Sequence, residues 1–370
     1  MQTEAAICWG QNQDWSVETI DLDPPKEGEV LVKLAASGMC HSDEHIVTGD
    51  LGGIYPIIGG HEGAGVVEEV GPGVTNLKPG DHVVFGFVPA CGHCPSCARG
   101  RSNLCDNGAV LLMGRQLDGT TRHHARGEDL STMVCLGTFG RYTVVNQMSC
   151  VKILDDIPLE LACLVGCGVT TGWGSSVYAG DIQPGDNVAV IGVGGIGAAA
   201  IQGARLAGAE RIFAIDPVPL KREMAPKFGA THTFASIEEA TEPIRAETWG
   251  TMCQKVICAM GVGRGSMMAS IMAMTAKHGR VVVTNIHPMA EMDVTLNLCD
   301  LTLMEKQIVG TIFGSANIHY DIPHLLHLYR LGQLDLEGMV TNRYKLGDIN
   351  EGYQDMRDGK NIRGVLVYDD

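Results

Sequence analysis

The chain has 370 residues, a formal net charge of −16 and a hydrophobic content of 45%. This length exceeds what one hydrophobic core usually supports, so we expect two domains, and the negative charge disfavours nucleic acids and anionic membranes as partners. No apolar run reaches the about 18 residues of a membrane span, and no secretory signal is visible. The 13 dispersed cysteines are typical of a reducing compartment, which predicts a cytoplasmic protein.

The pattern of predicted elements changes twice along the chain. Residues 1–168 are rich in strand and turn signals, such as VLVKLAASGMC and GAGVVEEVG. Residues 169–312 alternate apolar strands with helical segments, which predicts a doubly wound parallel sheet. Residues 313–370 return to mixed structure and end in an apolar strand. We therefore predict an α/β protein with a β-rich domain from residues 1–168 and 313–370, and a parallel-sheet domain from residues 169–312.

Two cysteines and one histidine are candidate metal ligands although they lie far apart in the chain. Cys40 lies in GMCHSDEH, His61 in GGHEGAG and Cys167 in LVGCGVTTGWG. Such a set leaves the fourth position of a tetrahedral zinc ion open, which is the pattern of a catalytic site. Each residue alone is more often a small buried hydrophobe or an ordinary core histidine. The prediction therefore depends on their combination with a dinucleotide-binding fold.

Four further cysteines, Cys91, Cys94, Cys97 and Cys105, are spaced C-x2-C-x2-C-x7-C. A bacterial iron–sulfur motif would have a shorter last gap followed by proline, and disulfides are disfavoured in a reducing compartment. Four thiolates complete a tetrahedral zinc site and leave no position for a substrate. We expect His93, inside the cluster, to be solvated rather than a ligand. The cluster therefore predicts a structural zinc ion.

The segment NVAVIGVGGIGAAAIQGARLAG carries a dinucleotide-binding pattern between a strand and a helix. Gly192, Gly194 and Gly197 permit, in turn, a tight turn, the approach of a pyrophosphate and close packing of helix on strand. Asp216 ends the next apolar strand, where its carboxylate would bind the ribose hydroxyls and repel a 2′-phosphate. The pattern therefore predicts NAD rather than NADP.

Taken together, these motifs resemble those of a known family. GMCHSDEH, GHEGAG, the four-cysteine cluster, GCGVTTGWG, GVGGIG and Asp216 occur in the order of the zinc-dependent alcohol dehydrogenases of the medium-chain dehydrogenase/reductase superfamily. The resemblance spans essentially the whole chain and implies a GroES-like catalytic domain plus a Rossmann coenzyme domain. In detail, the sequence looks most like the actinobacterial nitrosoaniline (NDMA)-dependent alcohol dehydrogenases. That group is associated with the redox cofactor mycofactocin and keeps NAD(H) bound.

The resemblance implies roles for the residues around the scattered set. Cys40, His61 and Cys167 correspond to the ligands of a catalytic zinc ion. Glu62 corresponds to an acid that can approach the metal, and Asp43 to a carboxylate that orients the ligand histidine. With the four-cysteine cluster, the resemblance implies two zinc ions per subunit.

Substrate and cofactor contacts are implied in the same way. Ser42 corresponds to the hydroxyl that takes the substrate proton, and His45 to the histidine that passes it to solvent. Phe87 and Val110 correspond to walls of the substrate cleft. The implied cofactor contacts are His41, Thr171, Gly192, Gly194, Gly195, Ile196, Gly197, Asp216, Lys221, Phe313 and Arg363.

The implied activity is the reversible oxidation of primary alcohols to aldehydes. NAD(H) would stay in the site and be reoxidised by an external acceptor, nitrosoaniline in vitro and a mycofactocin-type cofactor in vivo. The implied assembly is a homodimer or homotetramer. An alcohol dehydrogenase that exchanges NAD and an aldehyde dismutase are alternatives. So is a glutathione-dependent formaldehyde dehydrogenase, but Ala109 stands where that branch carries an arginine. A non-enzymatic nucleotide sensor would lack the intact catalytic set.

Overall fold

The computed structural model describes residues 1–50, 52 and 54–368, and the chain divides into two compact units. The first comprises Met1–Cys167, Asn317–Asp358 and Arg363–Asp370, and the second comprises Gly168–Ala316 and Gly359–Ile362. Residues 168, 313–316 and 359–362, predicted with the β-rich domain, therefore belong to the other unit. Within the described ranges, no helix is long and apolar enough to cross a membrane.

The N-terminal segment of the first unit builds most of two sheets. Its strands are β1 (Gln2–Cys8), β2 (Ser16–Leu22), β3 (Glu29–Met39), β4 (Ile57–Ile58), β5 (Glu62–Val70), β6 (His82–Phe85), β7 (His123–Ala125), β8 (Glu128–Asp129), β9 (Ser131–Thr132), β10 (Tyr142–Asn146) and β11 (Cys150–Lys152). Its helices are α1 (His41–Thr48), α2 (Pro95–Ala98) and α3 (Leu159–Ala162). One sheet has the strand order β8-β7-β2-β1-β4-β9.

The second unit contains one parallel sheet with helices in its connections. Its helices are α4 (Gly168–Gly174), α5 (Gly195–Leu206), α6 (Pro219–Phe228), α7 (Ile237–Glu247), α8 (Met268–Ala273) and α9 (Leu298–Leu303). Its strands are β12 (Asn187–Ile191), β13 (Arg211–Ile215), β14 (His232–Phe234), β15 (Cys253–Cys258), β16 (Thr275–Val283) and β17 (Gln307–Gly310). They pair in the order β14-β13-β12-β15-β16-β17, which is the Rossmann order. The predicted doubly wound fold is confirmed.

The C-terminal segment returns to the first unit and completes its second sheet. It adds α10 (Ile318–Arg330), β18 (Val340–Tyr344), α11 (Ile349–Arg357) and β19 (Arg363–Val367). The sheet has the order β11-β6-β5-β3-β19-β18, and β10 also pairs with β3. β3 is therefore the strand around which the catalytic candidates are arranged.

The register of strand β3 brings distant residues to its C-terminal end. Gly38 lies opposite Glu62 of β5, and Met39 lies opposite Gly364 of β19. Arg363 therefore reaches the same place as Glu62. A side chain at Gly38 would collide with the Glu62 carboxylate and the Arg363 guanidinium, so this glycine leaves the space that both side chains occupy.

Candidate active site

Residues from separate segments meet where strand β3 ends. Cys40 follows β3 and forms the N-cap of α1, His61 immediately precedes β5, and Cys167 is the last residue of this part of the first unit. Glu62 is the first residue of β5. The ligand atoms of the four residues all lie within 4.8 Å of one another.

The donors at this point fit a zinc ion. Cys40, His61, Glu62 and Cys167 are 5%, 3%, 0% and 8% exposed. His61 Nε2 is buried and has no hydrogen-bond partner within the described chain, whereas buried polar atoms normally have one. Thiolate sulfur and imidazole nitrogen are donors that zinc prefers, and two thiolates with one imidazole form catalytic sites. Cys40, His61 and Cys167 could therefore hold a zinc ion, with the Glu62 carboxylate beside it.

Asp43 orients the His61 ring from the opposite side. Its carboxylate accepts hydrogen bonds from the backbone amides of Cys40 at 3.2 Å and Gly60 at 2.9 Å, and it lies 3.3 Å from His61 Nδ1. Burial, the largest single effect, would lower the pKa of His61, but the charges and hydrogen bonds of Asp43 and Cys40 together outweigh it and raise that pKa well above its usual value. Nδ1 thus has a carboxylate partner, which leaves Nε2 as the ligand nitrogen.

The pKa values of the two thiols of the site, Cys40 and Cys167, are shifted in opposite directions. A hydrogen bond from the Cys167 thiol lowers the pKa of Cys40 well below its usual value, against the effect of burial. The same hydrogen bond, together with burial, raises the pKa of Cys167. Two sulfur atoms this close hold one proton tightly, and a bound metal cation displaces such protons.

Glu62 forms a buried ion pair with Arg363. Burial would lower the pKa of Arg363, but the charges of Glu62 and Cys40 raise it above its usual value. A buried carboxylate without a partner would be costly, so the guanidinium makes it possible for Glu62 to lie beside the sulfur atoms. Sequence reasoning assigned Arg363 to the cofactor and missed this pairing, because it depends on the register of β19.

The four-cysteine cluster forms a second compact group of sulfur donors. The sulfur atoms of Cys91, Cys94, Cys97 and Cys105 lie within 4.8 Å of one another. Backbone amides of Cys91, Cys94 and Cys97 donate to the sulfur atoms of Cys105, Cys91 and Cys94 at 3.3–3.5 Å. The amides of Asp106 and Cys97 lower the pKa of Cys94 to about 6. The sulfur set thus has the donor number and the amide contacts of a closed zinc site.

The glycine-rich turn of the second unit has the geometry that a dinucleotide requires. Gly192 has φ of 93°, and a side chain there would come within 2.6 Å of the Ala259 carbonyl. Gly194 has open space on its side-chain position, with no described atom within 4 Å. Gly197 lies against the Gly192 carbonyl, so α5 packs closely on the turn. Gly195 and Ile196 form the N-terminal turn of α5, whose amides can face a phosphate.

Asp216 lies at the end of β13 beside this turn. Its carboxylate accepts hydrogen bonds from the amides of Val193 at 2.8 Å and Val218 at 2.9 Å. Lys221 follows in the first turn of α6. Phe313 is buried and precedes Gly314, where a side chain would come within 2.6 Å of the Thr171 carbonyl. The other implied cofactor residues, His41 and Arg363, belong to the first unit.

The chain matches known proteins along its whole length. Residues 26–155 match the alcohol dehydrogenase GroES-like domain, and residues 195–330 match the zinc-binding dehydrogenase family. The chain is 53% identical to alcohol dehydrogenase B of Mycobacterium tuberculosis and 50% identical to the NDMA-dependent alcohol dehydrogenase of Amycolatopsis methanolica, covering 100% of this chain and 99% of each relative. The crystal structure of benzyl alcohol dehydrogenase from Acinetobacter calcoaceticus matches with a TM-score of 0.90 at 27% identity over 100% of both chains.

The chain belongs to the zinc-dependent alcohol dehydrogenases. It is an oxidoreductase that acts on CH–OH groups and a member of the medium-chain dehydrogenase/reductase superfamily. The predicted family and the GroES-like plus Rossmann fold are confirmed, as is the resemblance to an NDMA-dependent relative.

Two polar residues of this alcohol dehydrogenase lie on helix α1, next to the scattered ligand set. Ser42 Oγ is 3.6 Å from the Cys40 sulfur atom. The His45 side chain is almost fully buried, and its Nδ1 lies 2.9 Å from the Asp50 carboxylate. Thr48 donates to the same carboxylate at 2.8 Å. Asp50 was missed from the sequence, where the only signal was its position just after the end of α1.

Both predicted cleft residues of the alcohol dehydrogenase, Phe87 and Val110, pack against one apolar cluster. The Phe87 ring stands edge-on to the His61 ring, with 6.3 Å between ring centres. Phe87 and Val110 both pack against the cluster that includes Cys94, Cys105 and Leu111. Both residues therefore pack on the four-cysteine group, although that group is a separate donor set.

Proposed function

We propose that this alcohol dehydrogenase oxidises primary alcohols to aldehydes, reversibly, at a zinc ion held by Cys40, His61 and Cys167. The observation that supports this most is the buried convergence of two thiols and an imidazole nitrogen that has no other partner. We place a second, structural zinc ion at Cys91, Cys94, Cys97 and Cys105. The first site would bind substrate, and the second would not.

We assign separate roles in the reaction to the residues around the first site. Cys40, His61 and Cys167 would hold the zinc ion, which would supply Lewis-acid polarisation of an alcohol oxygen, and bound NAD would supply the hydride acceptor. Ser42, beside Cys40, accepts the hydroxyl proton, and His45 passes it outward, with Asp50 holding the His45 ring. Asp43 fixes the His61 ring. Phe87 exposes an apolar ring edge where the carbon chain of the alcohol would lie.

We further propose that NAD(H) stays bound through turnover and that an external acceptor reoxidises it. The 50% identity with an NDMA-dependent enzyme supports an acceptor of the nitrosoaniline type in vitro, and the resemblance to that group supports a mycofactocin-type acceptor in vivo. Asp216 supports NAD over NADP, because its carboxylate would repel a 2′-phosphate.

The segment Asp106–Met113 argues against glutathione as part of the substrate. Ala109 is exposed in this segment, as are Leu112 and Met113, and the segment contains no cationic residue. A glutathione carboxylate would need a cation there. The segment suits uncharged alcohols and aldehydes instead.

Purified protein that has been denatured and assayed for released nucleotide tests the retained cofactor. We expect about one NAD(H) per chain, and alcohol-dependent reduction of a nitrosoaniline without added NAD. Zinc analysis of the same preparation should give two ions per chain. Nucleotide-free protein that turns over only with added NAD would leave an NAD-exchanging alcohol dehydrogenase as the better description.

We also propose self-association through the edge strand β17, which ends the parallel sheet in the described chain. Four apolar side chains near it are 39–72% exposed, namely Leu298, Leu303, Ile308 and Ile312. An exposed apolar edge strand tends to pair with another chain. Light scattering should therefore report a dimer or tetramer and not a monomer.

The cytoplasmic location stays a prediction.

A further inference from the structure

A buried tyrosine that interacts with Asp43 has no role in the proposed reaction. Tyr353 belongs to helix α11 and is 1% exposed. Its ring packs with Trp15 and Phe139, each with ring centres 6.2 Å away. A phenylalanine would make the same ring contacts. The hydroxyl group is therefore the feature that requires an explanation.

The Tyr353 hydroxyl lies within electrostatic range of the Asp43 carboxylate. It makes no hydrogen bond of ordinary geometry within the described chain, although buried hydroxyl groups normally have a partner. Burial comes first and the Asp43 charge second among the causes that raise the pKa of Tyr353 well above its usual value. The phenol thus keeps its proton and can act as a donor.

The Asp43 carboxylate can accept one more hydrogen bond. It is fully buried, and three donors are directed at it: the amides of Cys40 and Gly60, and Nδ1 of His61. An ionised carboxylate offers about four acceptor positions. One position is thus left for a further donor, and the unpaired phenol is the group beside it.

We propose that Tyr353 is a positioning residue whose hydroxyl donates to Asp43 and holds this carboxylate against the His61 ring. The chain of contacts would run from Tyr353 through Asp43 to His61, and so to the zinc ion of the proposed function, on which this inference rests. Groups that orient a metal-bound histidine contribute to how tightly the metal is held. Tyr353 would act on metal retention without touching the substrate.

The test is the rate at which each zinc ion leaves the purified enzyme in the presence of a coloured chelator. In Tyr353→Phe we expect one zinc ion to leave about three- to tenfold faster than in the wild type, somewhat less than the loss typical of a direct histidine partner. The zinc ion of the four-cysteine cluster should leave at the wild-type rate, which makes it an internal reference.

Tyr344→Phe is the matched control. Tyr344 packs against the same hydrophobic cluster. Its hydroxyl donates to Asp355 at 2.9 Å and accepts from Asn342 at 2.9 Å, so this variant also loses the hydrogen bonds of a tyrosine hydroxyl. We expect wild-type release of both zinc ions. Equal release from Tyr353→Phe and wild type would overturn the proposal. So would faster release of both ions, or of the same ion in both variants, because either result indicates general loosening.

A double substitution separates a contact with Asp43 from other effects. Asp43→Asn should itself speed release of the catalytic zinc ion about 10- to 100-fold. In that background, Tyr353→Phe should add no further acceleration, because the carboxylate that it holds is gone. If Tyr353→Phe accelerates zinc release as much in the Asp43→Asn background as in the wild type, the proposed contact between Tyr353 and Asp43 is overturned. Wild-type protein that holds zinc at the four-cysteine cluster only would overturn the proposed function and this inference with it, whereas wild-type release rates in Tyr353→Phe, with two zinc ions bound, would overturn the inference alone.

Discussion

The two sulfur-rich sites of this enzyme are built in opposite ways. The four-cysteine cluster comes from one stretch of chain, residues 91–105, and its own backbone amides donate to its sulfur atoms. The scattered site draws Cys40, His61 and Cys167 from distant segments. It also depends on Asp43 and on the Glu62–Arg363 ion pair.

This difference separates a structural role from a chemical one. A local set of four thiolates can saturate a metal ion, and it stabilises the loop that carries it. A scattered set forms only once the strands around β3 have paired. The scattered set contains fewer thiolates and a histidine with a carboxylate partner. Polar residues of α1 lie next to this set. Chemistry is expected at the second kind of site because a coordination position stays open there.

The largest effect is expected from Cys167→Ala. Loss of a thiolate ligand removes the zinc ion and with it several kcal/mol of transition-state stabilisation. The kcat should therefore fall about 10³-fold or more. Cys163→Ala is the control, because Cys163 is also buried and lies one helical turn earlier but is not among the ligand atoms. Zinc content should drop from two to one per chain in the first variant only. Normal turnover and two zinc ions in Cys167→Ala would contradict the assignment of the site.

A smaller effect is expected from replacing histidines near the two sites. His45→Gln should lower kcat about tenfold, less than a complete loss of general base catalysis, because water can still accept a proton from Ser42. The deficit should shrink as the pH rises, since hydroxide then replaces the histidine. His93→Gln is the control: His93 sits inside the four-cysteine cluster, exposed, with its Nδ1 on the Cys91 carbonyl. Equal losses in both variants, measured across the pH range, would remove the distinction between the sites.

Much of the fold and the four-cysteine donor set could be predicted from the sequence, because those signals are local, whereas Cys40, His61 and Cys167 were predicted only from their combination with a dinucleotide-binding fold and from the resemblance to a known family. The cysteine spacing, the glycine pattern at Gly192–Gly197 and Asp216 each lie within one segment. The pairing of Glu62 with Arg363 could not be predicted, because it depends on two strand registers of β3. The contact between Asp50 and His45 and the position of Tyr353 behind Asp43 depend on how a loop and α11 pack. Packing of that kind leaves no periodic signal in one sequence.

The smallest effect on turnover is expected from Cys105→Ser, although this variant should lose one zinc ion. Folding and metal binding are linked at a closed zinc site, so we expect Tm to fall by about 5–10 °C. The kcat should fall only about threefold, because Cys40, His61 and Cys167 are untouched. KM for long alcohols should rise more than KM for ethanol, since Phe87 and Val110 pack on this cluster.

Cys135→Ala provides the comparison for Cys105→Ser. Cys135 is buried in the same apolar cluster, but its thiol donates to the Arg115 carbonyl at 2.9 Å and is not a ligand atom. It should keep two zinc ions and nearly wild-type KM values. A kcat for Cys105→Ser as low as that of Cys167→Ala would mean that the cluster takes part in the reaction. If Cys105→Ser only lowers Tm and raises KM for long alcohols, the four-cysteine cluster shapes the substrate cleft, and the reaction takes place at the scattered ligands.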